Sequence, residues 1–289
     1  MRMGRGSWVC TLSTQVALCF ALYLVLNTGQ FQRSLYGDID SVGTYFISVS
    51  GGFRPLQEQI HLLKQMEMVA KKNRAKYVIN ISELGEGDPL MQNATQYYQS
   101  LEVPWYTVQA LKGKSGNYYL KHIEVTHGRT LDLIAIDTTL YQDVSSSKKD
   151  DQLKWLINIL EDSQSYWHIV VGFHPLVACG EDVKDRKIEK SFEPLIHTFL
   201  KYGVNAYLSR KACNNSVDKG GLDDSSNVSR VYGPDMISAN QEFLYSMEIT
   251  NGFLLHKVTD FEIVTYFVTS EGDFVRKVAL QPPRGKANM

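Results

Sequence analysis

The chain has 289 residues, enough to bury one large core or two small ones. Lys and Arg number 30 against 31 Asp and Glu, and this balance argues against nucleic acid as a partner, since a phosphate backbone selects a basic face. With 44% hydrophobic and 11% aromatic residues, the composition argues for a packed core and against wholesale disorder.

Residues 1–7 carry Arg2 and Arg5 and precede an uncharged, mostly apolar run over residues 8–26. As a helix, at ~1.5 Å per residue, that run is about long enough to cross a ~30 Å bilayer core. Arginines on its N-terminal side keep that end in the cytosol. The expectation is a single-pass type II signal-anchor, with the body in the secretory lumen or outside the cell. A cleaved signal peptide, leaving a secreted body, is the rival; its apolar core is shorter, roughly 7–15 residues, and no convincing small-x-small site follows Leu26. A buried soluble helix is disfavoured by the terminal position and the basic flank.

Residues 27–41 are a polar stem, and the folded domain is expected over 42–280. Residues 44–49 read as a strand, and 55–72 carry apolar residues near helical spacing. A strand follows at 77–81, a helix at 91–101, and strands at 104–108, 117–125 and 130–136. A helix over 147–162 has Leu153, Leu156, Ile157 and Leu160 on one stripe and Ser147 as its cap. A short apolar strand at 168–172, a helix at 192–202 and a strand at 204–208 continue the alternation. Residues 210–232, rich in Asn, Asp, Gly and Ser, read as a loop. Residues 253–258, 262–268 and 274–278 form an antiparallel meander with a hairpin turn at 271–273, and 281–289 is a polar tail. Strand–helix alternation followed by terminal strands predicts an α/β sandwich.

Four sequons, at Asn80, Asn93, Asn214 and Asn227, fit a lumenal body. Asn93, Asn214 and Asn227 sit in polar stretches suited to a glycan. Asn80 lies in an apolar strand and is expected to stay unmodified. Cys10 and Cys19 fall in the N-terminal run, which leaves Cys179 and Cys213 either to pair in an oxidising compartment or to remain as buried thiols.

The segments Pro104-Trp-Tyr, Ile136-Asp-Thr-Thr, Gln152-Leu-Lys-Trp-Leu and Trp167-His-Ile-Val-Val-Gly resemble the calcineurin-like metallophosphoesterase superfamily, and within it the low-molecular-weight purple acid phosphatases. The resemblance spans residues 42–280. It implies two packed mixed β-sheets flanked by helices, with ligands to a dinuclear Fe, Zn or Mn centre on loops at the carboxyl ends of strands. In such a centre two cations activate water and stabilise developing phosphate charge, and they require carboxylate, imidazole, amide or phenolate donors.

At the matching positions this chain departs from the family pattern. The opening Gly-Asp-x-Gly falls on residues 50–53, so the ligand Asp becomes Gly51. The bridging position falls on Glu83, whose carboxylate stands on a chain one methylene too long. The Gly-Asn-His-Asp motif falls near Leu111 and Lys112. In the Gly-His-His/Tyr-Pro loop the ligating position becomes Phe173, with His174 one place off. The last Gly-His-x-His falls on residues 210–213, with Lys211 and Cys213 in place of ligands. The resemblance therefore implies a phosphatase scaffold without its metals: no cofactor, and Glu83 and His174 as the residual catalytic candidates.

Asp88, Asp137, Glu181 and Asp182 join those two as the remaining acids and bases that a single metal would have to use; the simpler reading is solvated loop carboxylates and a structural His, with Asp137 capping a turn. The remaining histidines, at 61, 122, 127, 168, 197 and 256, show no metal-like spacing, and no nucleophile elbow, zincin motif or phosphate-binding loop is present. Lys112, Arg210 and Lys211 would crowd the mouth of the former site, either as an anion receptor or as exposed loop bases. The same mapping implies that a Cys179–Cys213 bridge would tie two emptied loops, worth roughly 2–4 kcal/mol. Together these features predict a catalytically inactive, membrane-anchored binding protein with an unknown protein or small anionic ligand. A divergent metal-dependent phosphomonoesterase is the alternative.

Overall fold

The computed structural model describes residues 12–20, 43–108, 118–125, 128–142, 147–178, 187–188, 190–210, 235–238, 243–244 and 252–281. The chain divides into two compact units, Met1–Val42 and Gly43–Met289. In the first, residues 12–20 are helical and exposed, and the rest of the apolar run lies outside the described residues. Among the described residues no helix is long and apolar enough to cross a membrane.

The second unit is built from strands β1 (Thr44–Ser50), β2 (Val78–Ile81), β3 (Trp105–Val108), β4 (Tyr119–Glu124), β5 (Thr130–Ala135), β6 (Trp167–Val171), β7 (Val177–Ala178), β8 (Lys187–Ile188), β9 (Ala206–Ser209), β10 (Asp235–Ser238), β11 (Phe243–Leu244), β12 (Gly252–Val258), β13 (Ile263–Thr269) and β14 (Phe274–Leu280). Its helices are α1 (Leu56–Asn73), α2 (Pro89–Tyr97), α3 (Ser147–Asp162) and α4 (Glu193–Tyr202). One six-stranded sheet runs β14-β13-β12-β1-β2-β3, the other β11-β10-β9-β6-β5-β4, and β7 pairs with β8. Both six-stranded sheets are mixed. β1, β2 and β3 are parallel neighbours, as are β5, β6 and β9, whereas β12 lies antiparallel to β1 and β4 to β5. Parallel neighbours need crossovers, and α1, α2, α3 and α4 supply them.

Strand periodicity explains the core. Leu131, Leu133 and Ala135 point between the sheets with Phe46, Ile79, Ile81, Trp167, Ile169 and Leu208, while Ile134 and Val170 face outward onto Leu156, Leu160, Leu195 and Phe199 of α3 and α4. On the first sheet, α1 packs against β1 and buries Leu62, Leu63, Met66, Val69 and Ala70 at helical spacing. Trp167 is fully buried and its Nε1 donates to the Thr259 carbonyl at 2.9 Å, so one ring fills the interlayer space and ties the start of β6 to the end of β12.

The predicted elements shift at two helices. The helix expected from Met91 starts at Pro89, because Asp88 caps it: Oδ1 accepts from the backbone N–H of Leu90 at 2.9 Å and of Met91 at 3.3 Å, with proline in the first turn. Its expected continuation to Leu101 tightens into a 3-10 turn at Gln99–Leu101. Ser147, expected as a cap, is the first residue inside α3. The predicted loop beyond Arg210, up to residue 232, and the tail after residue 281 lie outside the described residues.

A buried imidazole makes this fold acid-sensitive. His256 is 1% exposed and stacked on Phe46, with Nε2 at 2.8 Å from Ser48 Oγ and Nδ1 at 2.8 Å from Thr265 Oγ1. Burial pulls its pKa down to about 3. A depressed folded pKa favours the neutral ring, so the stabilisation is present above the unfolded value near 6.5 and is lost as pH falls toward 3. Between neutrality and pH 5 this ring alone is expected to cost about 2 kcal/mol. Urea unfolding at both pH values should show a shallower loss for His256→Gln than for wild type; equal losses would contradict the assignment.

Candidate functional site

The carboxyl ends of β1 and β2 in one sheet, and of β6 and β9 in the other, open onto the same edge of the sandwich, where an α/β fold places its ligands. The two sides meet directly: Ser50 Oγ, at the end of β1, donates to the Arg210 carbonyl after β9 at 3.3 Å. The expected site residues Gly51, Glu83, Phe173 and Arg210 are brought together here, and His174 is not. Leu111, Lys112, Lys211 and Cys213 lie outside the described residues, as do Cys179, Glu181, Asp182, Asn214 and Asn227.

On the β1–β2 side the dominant group is Asp88. Its carboxylate is wholly buried and reaches from the cap of α2 into the space beside Gly51. Oδ2 accepts from the Gly52 N–H at 2.6 Å and from Ser82 Oγ, while Oδ1 accepts the two N–H bonds of α2. A Cβ at residue 51 would overlap Asn80 Oδ1 and Asp88 Oδ2, and would stand 2.8 Å from Ser82 Cβ. Glycine at 51 therefore does more than remove a ligand: its missing side chain is the volume that Asp88 and Asn80 occupy. Arg54 donates from Nη2 to the Ser50 carbonyl. Its pKa is pulled down to about 10, chiefly by burial, with Asp88 opposing and Arg210 adding to the fall, so it remains a cation at neutral pH.

On the β6–β9 side, Phe173 is half-buried against the interlayer core, and the Arg210 guanidinium stands 5.2 Å from its ring centroid. Arg210 Nη1 bonds Glu83 Oε1 at 2.7 Å, and Nη2 lies 3.1 Å from where a Cβ on Gly52 would be. His174 turns away: Nδ1 lies 2.9 Å from Thr138 Oγ1, its N–H donates to that hydroxyl at 3.0 Å, and its carbonyl accepts from Tyr207 OH at 2.6 Å. A Cβ on Gly172 would collide with Tyr207 and Thr138, so glycine there lets the phenol reach across the loop.

The residues that carry the family resemblance do structural work. Gln152 is fully buried, with Oε1 accepting from the Asp137 N–H at 2.8 Å and Nε2 donating to its carbonyl at 3.1 Å, which docks α3 on the end of β5. Asp137 caps the following turn through the Thr139 N–H at 3.0 Å. A further polar cluster lies outside the site. The Asp132 carboxylate, 1% exposed, accepts from Ser163 Oγ at 2.6 Å and Ser165 Oγ at 2.5 Å and lies 2.6 Å from His122 Nδ1, pinning the α3–β6 loop. Asn93 is half-buried on α2, and Asn80 is wholly buried.

These residues do not fit a pair of metal ions. Both Asp88 oxygens are taken by N–H and O–H donors, Glu83 is paired with Arg210, and Gly51 and Phe173 offer no donor. The Asn80 amide is buried with neither end hydrogen-bonded among the described residues, and a single amide oxygen is too weak a donor set for two hard cations. Two guanidiniums and two carboxylates already balance one another. Among the described residues no group of three or more His, Cys, Asp or Glu is placed around a common point. Sequence reading pointed to Glu83 and Arg210 without pairing them, and it missed Asp88 as the organiser. The signal available was Asp88-Pro89, an acid directly before a proline at a helix start.

Asp88→Ala strips the acceptor from four donors and removes the stronger of the two acids acting on Arg54, an expected loss of about 3–5 kcal/mol. Gly51→Ala is expected to cost about 1–3 kcal/mol by overpacking. Denaturant midpoints of both variants measure this, and an Asp88→Ala loss below about 1 kcal/mol would contradict the role given to that carboxylate.

No family model matches the chain, and no curated protein matches it by sequence. Among solved structures it is similar to GAP50 of Plasmodium, described as the anchor in the inner membrane complex. That match has 17% identity, covers 86% of this chain and 91% of the other, and has a TM-score of 0.58. PhoD aligns more loosely, at 10% identity over 83% of this chain and 69% of the other, TM-score 0.45. A phosphatase from Mycoplasma pneumoniae does so at 11% identity over 84% and 95%, TM-score 0.34. The chain has the calcineurin-like metallophosphoesterase fold.

Proposed function

We propose that this protein is a non-catalytic binding module on a metallophosphoesterase fold, held at a membrane by its N-terminal apolar run. The observation that carries the reading is the content of the former metal positions. Glu83 is engaged by Arg210, Asp88 fills the volume beside Gly51, and Phe173 stands where a ligand is required. A fixed guanidinium repels the cations that the chemistry needs, and loss of single ligands or their supports already weakens such sites by about one to two orders of magnitude. GAP50 is described as an anchor in a membrane complex, which supports an anchoring or interaction role here.

The membrane anchor at residues 8–26, a lumenal body, glycans at Asn93, Asn214 and Asn227, and a Cys179–Cys213 disulfide belong to this reading. Alkaline extraction of membranes from cells expressing the full chain is expected to leave it in the pellet, and enzymatic glycan removal is expected to lower its mass. A soluble, unglycosylated product would overturn the topology.

Elemental analysis of the purified full chain is expected to find no stoichiometric Fe, Zn or Mn, and aryl phosphate hydrolysis from about pH 4 to 8 should stay at background. Stoichiometric metal, with turnover that falls on Glu83→Gln or His174→Ala, would assign a divergent metal-dependent phosphomonoesterase instead.

A further inference from the structure

The mouth of the emptied site carries an apolar step. Phe53, Leu56 and Ile60 are 75%, 64% and 42% exposed, although each is a large apolar side chain. Leu56 and Ile60 are one turn apart on the same side of α1, and Phe53 lies in the non-helical segment just before its N-cap, Pro55. Soluble surfaces carry such side chains singly as a rule, whereas a group beside a polar rim marks a contact surface.

Arg210 Nη2 faces Gly52, the residue before Phe53. Its position is fixed from several sides: its N–H donates to the Phe173 carbonyl at 3.2 Å, its carbonyl accepts from Ser50 Oγ, and its guanidinium stands over the Phe173 ring. The acid it pairs with is held far less firmly. The Glu83 side chain is 57% exposed against 26% for Arg210. A held guanidinium beside a loosely held carboxylate is a carboxylate receptor whose internal occupant can be exchanged, because Arg recognises any carboxylate through the same planar fork.

We propose that Phe53, Leu56, Ile60 and Arg210 form a docking surface for a partner polypeptide segment that offers an acidic side chain flanked by apolar ones, the acid displacing Glu83. The inference deepens the non-catalytic reading and rests on it. Charge complementarity selects this occupant: the apolar step takes the flanking side chains and Arg210 takes the acid. An anionic bilayer is disfavoured, because Glu58, His61 and Lys64, with mixed signs, share this part of α1.

The test uses the full chain in detergent and fluorescent synthetic peptides holding one Asp or Glu between Leu and Phe residues. Each is matched by its Asn or Gln counterpart and by a version with the only carboxylate at the chain end. At least one acidic peptide is expected to bind about tenfold tighter than its amide counterpart. Arg210→Gln should abolish that preference, Glu83→Gln should strengthen binding several-fold, and Phe53→Ser with Leu56→Ser should weaken it about tenfold. Ile60→Ser, also on an exposed side chain, should weaken it less, and unchanged far-ultraviolet spectra show that each variant folds.

Four results would overturn the proposal: no acid-over-amide preference, a preference that survives Arg210→Gln, tighter binding of chain-end carboxylates, or loss of self-association or of phosphatidylserine-vesicle binding as the main effect of Phe53→Ser. Failure of the peptides with metal-free protein sinks only this surface, whereas a dinuclear metal centre sinks the reading beneath it.

Discussion

The carboxylate of Asp88 is the constraint around which this edge of the sandwich is arranged. It is wholly buried, so its lone pairs need donors, and the chain supplies them from three places: the turn after β1, the serine after β2 and the first turn of α2. One side chain thereby caps a helix, orders the β1–α1 turn and lies near enough to Arg54 to hold its charge. The arrangement is possible only because residue 51 has no Cβ. The sequence resemblance implies a metal ligand at residue 51; in this chain the Asp88 carboxylate, a helix cap, fills that volume.

A second ion pair closes the opposite wall. Arg210 brings a fixed positive charge to Glu83, and its guanidinium stands 5.2 Å from the Phe173 ring centroid. A dinuclear centre cross-links strands from two sheets through its cations. In this chain the cross-linking is done by Ser50 Oγ on the Arg210 carbonyl and by the guanidinium itself. Such pairs contribute geometry more than net stability, since desolvation offsets much of their attraction. Their consequence is a site in which the described charges are paired with one another.

Much of the sandwich was legible because strand and helix periods differ and because turn residues punctuate the chain. The three parallel strands of each sheet, α1, α3, α4 and the terminal meander all follow from apolar spacing. Pro89 obscured the start of α2, because a proline reads as a break unless the residue before it is seen as a cap. At the site, sequence could show that Gly51 and Phe173 carry no donor atom, for that is visible in the residue type itself. It could not show that Asp88, Asn80 and Ser82 converge beside Gly51, or that Glu83 and Arg210, 127 residues apart, form a pair. Those contacts depend on how two sheets stack, which no local pattern encodes.

The central claim is that fixed protein charges, not bound cations, organise this pocket. It is tested most directly by an anomalous-scattering map from crystals of the protein grown in excess Mn²⁺. The account predicts no peak between Gly51, Glu83 and Phe173, with Arg210 seated on Glu83. Two peaks about 3.5–4 Å apart at that place, with Arg210 displaced, would contradict it.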